Sequence, residues 1–329
     1  AFAQMVEAGC EYAVMEVSSQ GIKMHRTDGL YFNYAIFTNI SPDHIGPGEH
    51  ADFEEYLYYK TRLLNMCGIG LVNKDDKHAP QIIKAANCEL YTYSEESKEA
   101  DFVASDIRYV SQPDFVGTEF HISGKYDMEV RLGIPGLFNV VNALAAVSVC
   151  SFLGLDQARI SHALENIRVN GRMEIVYTSE RCTVLVDYAH NAVSMESLLS
   201  TLRDYKPKRL VCVFGCGGNR SKDRRYSMGE IGGKMADLSI ITADNSRYEK
   251  VEDIIADIRG SIEKTGGKFI EIPDRREAIR YSILHAQPGD MVAVIGKGHE
   301  DYQEINGVRH HFLDREVIEE TVKELGEKA

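Results

Sequence analysis

The chain has 329 residues, of which 26% are charged and 44% hydrophobic, and a formal net charge of −13 at pH 7. That length suits about two domains, and the negative balance argues against nucleic acid or an anionic membrane surface, which select basic faces. No run of about 18 apolar residues predicts a membrane span, and seven cysteines without a CxxC pair read as reduced thiols of a cytoplasmic protein.

The opening, Ala1 to Gly9, reads as the middle of a helix ending at Gly9, with neither an initiator methionine nor a signal peptide. The chain is therefore expected to be a fragment that has lost its front end. Strands are expected at 12–17, 34–38 and 69–73, with a helix over about 51–66. The first two strands end on polar residues, Glu16, Ser18 and Ser19 in one case and Asn39, Asp43 and His44 in the other. Glu, Asp, His and Ser at strand ends are the groups that hold Mg²⁺ and phosphate oxygens. On the 51–66 helix, Phe53, Leu57, Lys60 and Leu64 fall on one stripe. A lysine there either snorkels to water or sits desolvated, where it can act as a nucleophile or capture CO₂ as a carbamate.

Residues 102–133 alternate with period two between turn residues, which predicts a small antiparallel sheet. Gly136-Leu-Phe-Asn139 then opens a helix carrying Val141, Leu144, Ala145 and Val149, and a second helix follows Gly154 at about 156–166. Asn170-Gly171-Arg172 is a turn signal and the expected boundary between domains of residues 1–170 and 171–329. Beyond it, strands at 183–187, 210–214, 238–242 and 291–295 alternate with helices near 192–203, 226–236, 251–264 and 275–286. The fold class is thus α/β: a mostly parallel sheet with a small antiparallel subsheet, then a doubly wound, Rossmann-like domain. Four of its strands end in Asp187-Tyr-Ala-His190, Gly215-Cys-Gly-Gly218-Asn-Arg220, Asp244-Asn245-Ser246-Arg247 and Gly296-Lys-Gly-His-Glu300. All four clusters should share one rim, where such sheets bind ligands.

These strand-end clusters, together with Met-Glu16-Val-Ser18-Ser19, Asn39-Ile-Ser-Pro-Asp43-His44, Tyr59-Lys60, Gly136-Leu-Phe-Asn139-Val-Val-Asn142 and Gly171-Arg172-Met-Glu174, resemble the Mur ligase family from end to end of the chain. The resemblance implies an ATP-dependent amino-acid ligase of cell-wall precursor synthesis. By it, Glu16, His44 and Lys60 (as N6-carboxylysine) are Mg²⁺ ligands and catalytic groups. Ser18 and Arg26 contact a UDP-N-acetylmuramoyl dipeptide, and Asn39 and Arg172 face ATP. Arg220, Asp244, Asn245, Ser246, Arg247, Gly296 and Glu300 form the pocket for an incoming diamino acid, meso-diaminopimelate in preference to L-lysine because Arg247 supplies a cation for the extra carboxylate. A monomer is expected. The chain departs from the family pattern in lacking a Gly-x-Gly-Lys-[Thr/Ser] phosphate loop and the uridine-binding domain. Ser246 also stands where diaminopimelate-adding members have Pro, and Met24 where a Gln is common. An L-lysine-adding member, a folylpolyglutamate-synthetase-like member and a non-catalytic paralogue are the competing readings.

Overall fold

The computed structural model describes residues 2–42 and 44–326. It forms two compact units, one of residues up to 104 with 122–127 and 144–154, the other of 105–121, 128–143 and 155 onward.

The chain enters the first unit through α1 (Phe2–Glu7), which stops at Gly9 in the left-handed region, φ 72°. There follow α2 (Ser19–Lys23), β1 (Phe32–Phe37), α3 (Phe53–Thr61) with a 3-10 extension (Arg62–Asn65), β2 (Cys67–Asn73), α4 (Ala79–Ala85), β3 (Glu89–Ser94) and β4 (Phe102–Gln112). β1, β2, β3 and the start of β4 pair in parallel, in registers that include Ile36 with Leu71, Val72 with Thr92 and Tyr93 with Phe102. Phe37, Tyr56, Leu57, Leu64, Val72 and Ile82 form the core between these strands and the helices. Asp52 caps α3 by accepting from the Glu55 amide at 2.8 Å, which fixes where the Lys60-bearing helix begins.

The strand expected over 12–17 is not formed. Those residues carry no regular structure, and Tyr12, Val14 and Met15 are exposed. A strand is stable only when a neighbour completes its backbone hydrogen bonds, and no strand among the described residues pairs with this segment. Hydrophobic β-branched character alone did not suffice.

After β4 come β5 (Phe115–Gly124), β6 (Met128–Leu132), α5 (Leu137–Phe152) and α6 (Gln157–Asn166), as the period-two stretch and the two apolar helical patterns anticipate. The second unit continues through β7 (Glu174–Thr178), β8 (Cys182–Asp187), α7 (Ala192–Asp204), β9 (Arg209–Phe214), α8 (Lys222–Met235), β10 (Leu238–Ile241), α9 (Val251–Thr265), β11 (Phe269–Glu271), α10 (Arg275–Leu284), β12 (Asp290–Ile295), β13 (Tyr302–Ile305), β14 (Val308–His311) and α11 (Asp314–Glu324). Its main sheet has the order β11-β10-β9-β12-β8-β7, parallel except for β7. Every residue of β8 and β12 is buried, as a parallel sheet covered on both faces requires. Met195, Leu199, Met228, Ile254, Ile258 and Ile262 from α7, α8 and α9 cover one face. Ala278, Ile279, Ile283, Val317, Ile318 and Val322 from α10 and α11 cover the other. No helix among the described residues is long and apolar enough to cross a membrane.

Candidate active site

In the first unit, β1 delivers Asn39 just past its end. Tyr93 Oη donates to the Phe37 carbonyl at 3.1 Å, and the Ile40 amide donates to Asp76 Oδ2 at 2.8 Å, so the segment between them is pinned on both sides. Lys60, half-buried on α3, donates from Nζ to the Asn39 carbonyl at 3.0 Å and lies 5.3 Å and 5.9 Å from the Tyr56 and Phe37 ring centroids. The stripe is therefore real, with Leu57 and Leu64 buried, and its lysine reaches the strand end rather than extending straight into water.

Glu16 is exposed in the irregular segment before α2, so it does not share a sheet edge with β1 as the expected strand would have placed it. His44 sits at φ 54°, a left-handed turn that His tolerates better than most residues, with Nδ1 3.4 Å from Glu49. Asp43 lies outside the described residues. Ser18 is the N-cap of α2, accepting from the Gly21 amide at 3.0 Å, and Arg26 is exposed just beyond that helix. No group of three or more His, Cys, Asp or Glu side chains able to hold a metal occurs among the described residues. Glu16 and His44 offer one carboxylate and one imidazole, a set that suits Mg²⁺ only with further oxygen ligands. Lys60 can supply one only as a carbamate.

Interactions around the buried His50 tie α2 to α3 and to the loop before it. His50 is fully buried, with one ring nitrogen 2.9 Å from Ser19 Oγ and the other 3.8 Å from Glu55, which in turn binds Lys23 at 2.9 Å. Burial, aided by the Lys23 charge, holds the His50 pKa below its ordinary 6.5. A histidine whose folded pKa is depressed is protonated more readily when unfolded, so its contribution to stability is intact above pH 6.5 and is lost as pH falls below that value. His50→Gln should therefore flatten the fall in the denaturation midpoint between about pH 7.5 and pH 5.5. Equal slopes in the variant and the wild type would show that His50 carries no such linkage.

In the second unit the strand-end clusters converge as the sequence pattern requires. β9, β10 and β12 are adjacent, so Gly215–Arg220, Asp244–Arg247 and Gly296–Glu300 leave neighbouring strands at the same rim. Asp244, Asn245 and Ser246 are buried, whereas Arg220 is exposed. Gly296 has φ 112°, and a Cβ there would lie 2.9 Å from Asp244 Oδ2, so only glycine lets this turn pass the carboxylate. Asn245 Nδ2 donates to Glu300 Oε2 at 3.0 Å, and Tyr188 Oη donates to Glu300 Oε1 at 3.4 Å. Arg247, itself at φ 51°, donates from Nη1 to the Gly218 carbonyl at 2.7 Å, and its Nε is 3.6 Å from Glu304.

Arg172, exposed, lies over the Tyr188 ring at 5.1 Å. The neighbouring Met173 amide donates to Asp187 Oδ2 at 2.8 Å. Burial pushes the Asp187 carboxyl up against the pull of its two backbone donors and of Arg172.

Several residues that shape this rim carry no motif that sequence reasoning picked out. Buried Arg225 binds Glu249 at 2.8 Å and Asp257 at 2.9 Å, and Glu249 also accepts from the Asn219 amide. These bonds lace the Arg220 loop to the Arg247 loop. Arg275, fully buried, pairs with Asp314 and donates to the Ala243 and Ile295 carbonyls at 3.2 Å and 3.0 Å, the last residues before Asp244 and Gly296. The hairpin β13–β14 brings Ile305 into a bridge with Arg247. Its Asn306-Gly307 turn, with both residues at positive φ, is a hairpin signal present in the sequence.

Against known proteins, residues 1–150 match the Mur ligase middle domain and residues 171–298 match the Mur ligase glutamate ligase domain. The UDP-N-acetylmuramoyl-L-alanyl-D-glutamate--2,6-diaminopimelate ligase of Caldanaerobacter subterraneus subsp. tengcongensis is 38% identical over 98% of this chain, and that of Clostridioides difficile is 38% identical, again over 98%. Ligase 2 of the same name in Clostridium acetobutylicum is 40% identical over 96%. The chain spans 66%, 67% and 64% of these three relatives, respectively. A solved structure of a ligase of this name superposes on the whole chain with TM-score 0.78 at 34% identity, the chain covering 68% of it. The UDP-N-acetylmuramate-alanine ligase of Thermotoga maritima, at 19% identity and TM-score 0.61, shares the fold. Matches to both domain models, in order, and this identity along nearly the entire chain establish that it belongs to the Mur ligase family.

Proposed function

We propose that the protein is an ATP-dependent carbon–nitrogen ligase that adds meso-diaminopimelate to a UDP-N-acetylmuramoyl-L-alanyl-D-glutamate acceptor, with the boundary between its central and C-terminal domains at Asn170–Gly171. ATP transfers its γ-phosphoryl group to a D-glutamate carboxylate oxygen, giving an acyl phosphate and ADP. The amine of the amino acid then attacks the acyl carbon, phosphate leaves, and the amine's proton passes to solvent or a base. Asn39 and Arg172 face the nucleotide, and Ser18 and Arg26 the acceptor. Glu16, His44 and carbamylated Lys60 would hold Mg²⁺, which neutralises the negative charge gathered when phosphate meets carboxylate.

The observation that carries this reading is the convergence of Arg220, Asp244, Asn245, Arg247, Gly296 and Glu300 on one sheet rim. Carboxylates, an amide and guanidinium groups in one place complement a zwitterion with charges at both ends. Diaminopimelate has a second amino-carboxylate end that lysine lacks, and a guanidinium grips a carboxylate through two parallel hydrogen bonds. Such a charge-assisted bond contributes about 1.5–3 kcal/mol, roughly 10- to 150-fold in affinity. Arg247→Ala should therefore lower kcat/KM for meso-diaminopimelate by at least about tenfold and leave the weaker use of L-lysine nearly unchanged. An equal loss for both substrates, or a wild type that prefers L-lysine, would refute the assignment of Arg247 as the specificity residue.

A further inference from the structure

Lys297 stands between two glycines at the end of β12, yet its side chain is completely buried. A buried ammonium requires partners, and this one has three acceptors: Glu300 Oε2 at 3.2 Å, Asn245 Oδ1 at 3.3 Å and the Tyr302 carbonyl. Three N–H donors meet three acceptors. The lysine of this Gly-Lys-Gly turn is thus turned inward, away from the role that a lysine in a glycine-rich loop plays toward phosphate.

Two of its partners are residues placed above in the amino-acid pocket. Asn245 Oδ1 accepts from Lys297 and from the Glu304 amide at 2.9 Å, so its Nδ2 is the end that meets Glu300. An amide side chain takes its orientation from such a network, and with a lysine at Oδ1 only one of the two flips is satisfied. Glu300 Oε2 receives both the ammonium and that Nδ2, which leaves the carboxylate one favourable rotation.

We propose that Lys297 is a positioning residue of the amino-acid pocket: its buried ammonium locks the Glu300 carboxylate and the Asn245 amide in the orientation that receives the charged end of the incoming diamino acid. The inference rests on the pocket reading above and adds a residue that acts through Glu300. Lys297 itself meets no reacting atom.

The test compares wild type, Lys297→Met, Glu300→Gln and the double variant in the intact protein, through the KM for meso-diaminopimelate, the KM for ATP and direct titration with meso-diaminopimelate. Methionine keeps most of the stem volume without the charge. Each single variant should raise the KM for meso-diaminopimelate at least about tenfold while the KM for ATP stays fixed. The double variant should lose little beyond Glu300→Gln alone, well short of the product of the two single losses, because only the hold of Lys297 on Asn245 is left to remove once the Glu300 charge is gone. If Lys297→Met does not fold, the double variant, with neither charge of the pair left unpartnered, gives the same comparison with Glu300→Gln. Losses that multiply in the double variant, or a Lys297→Met that binds meso-diaminopimelate as wild type does, overturn the proposal alone. A wild type that does not bind meso-diaminopimelate overturns the pocket reading and this proposal together.

Discussion

Lys60→Ala in the intact protein is expected to lose at least about 10²-fold in ligase activity, more than the 10–100-fold typical of residues that only support a metal ligand. Lys60 is held at the end of β1 by the Asn39 carbonyl and flanked by the Tyr56 and Phe37 rings, which fixes its amine beside the strand end that carries Asn39, the asparagine proposed to face the nucleotide. A carbamate formed there would convert a cation into an anionic oxygen ligand, one of the further oxygen donors that Mg²⁺ needs in addition to Glu16 and His44. Two results separate this role from a plain cation. A short carboxylic acid added to Lys60→Ala should restore part of the activity by replacing the missing anion. Lys60→Arg should stay inactive, because a guanidinium keeps its charge and does not take up CO₂. Full activity in Lys60→Arg, measured as ADP release, would show that only the positive charge matters.

The largest effect on stability is expected at Arg275 and Asp314. Both side chains are fully buried and bonded through two parallel N–H···O contacts of 2.7 Å. Burial opposes the Arg275 charge, yet Asp314 beside it holds the guanidinium's pKa above its ordinary value. Removing one partner of such a pair leaves an uncompensated charge in the core and costs about 3–5 kcal/mol. Asp314→Ala should therefore lower the unfolding temperature of its unit by roughly 6–20 °C, taking about 2–4 °C per kcal/mol. Replacing both residues, as Arg275→Met with Asp314→Leu, should recover much of the loss, though not the bonds to the Ala243 and Ile295 carbonyls. Because those carbonyls precede Asp244 and Gly296, the double variant should remain weakened toward the amino acid even where it is folded. An Asp314→Ala protein that melts within about 2 °C of wild type would show that the pair carries little net stability.

The sequence makes the second unit legible because its two signals agree. Runs such as 182–187, 210–214 and 290–295, apolar but for Thr183, Asp187 and Asp290, are buried on both faces, and the segments between them place isoleucines and leucines at helical spacing. Polar and glycine-rich residues then fall where strands end, which is why Asp244–Arg247 and Gly296–Glu300 are found together. The 12–17 segment misleads for the opposite reason: its β-branched, apolar character gives a propensity, and propensity forms no strand without a partner. β11, with three residues, and the polar hairpin strands Tyr302–Ile305 and Val308–His311 carry too little periodicity to register. Lys297, Arg275 and Arg225 escape notice because a charged residue in sequence reads as solvent-facing, and only three-dimensional packing shows the carboxylates that hold them inside.

The most direct measurement is the rate of ADP release by the intact protein with ATP, the UDP-N-acetylmuramoyl dipeptide and either meso-diaminopimelate or L-lysine. Release is expected to require the dipeptide and to show a kcat/KM at least about tenfold higher with meso-diaminopimelate. Release that is indifferent to the dipeptide, or that is as fast with L-lysine, would contradict it.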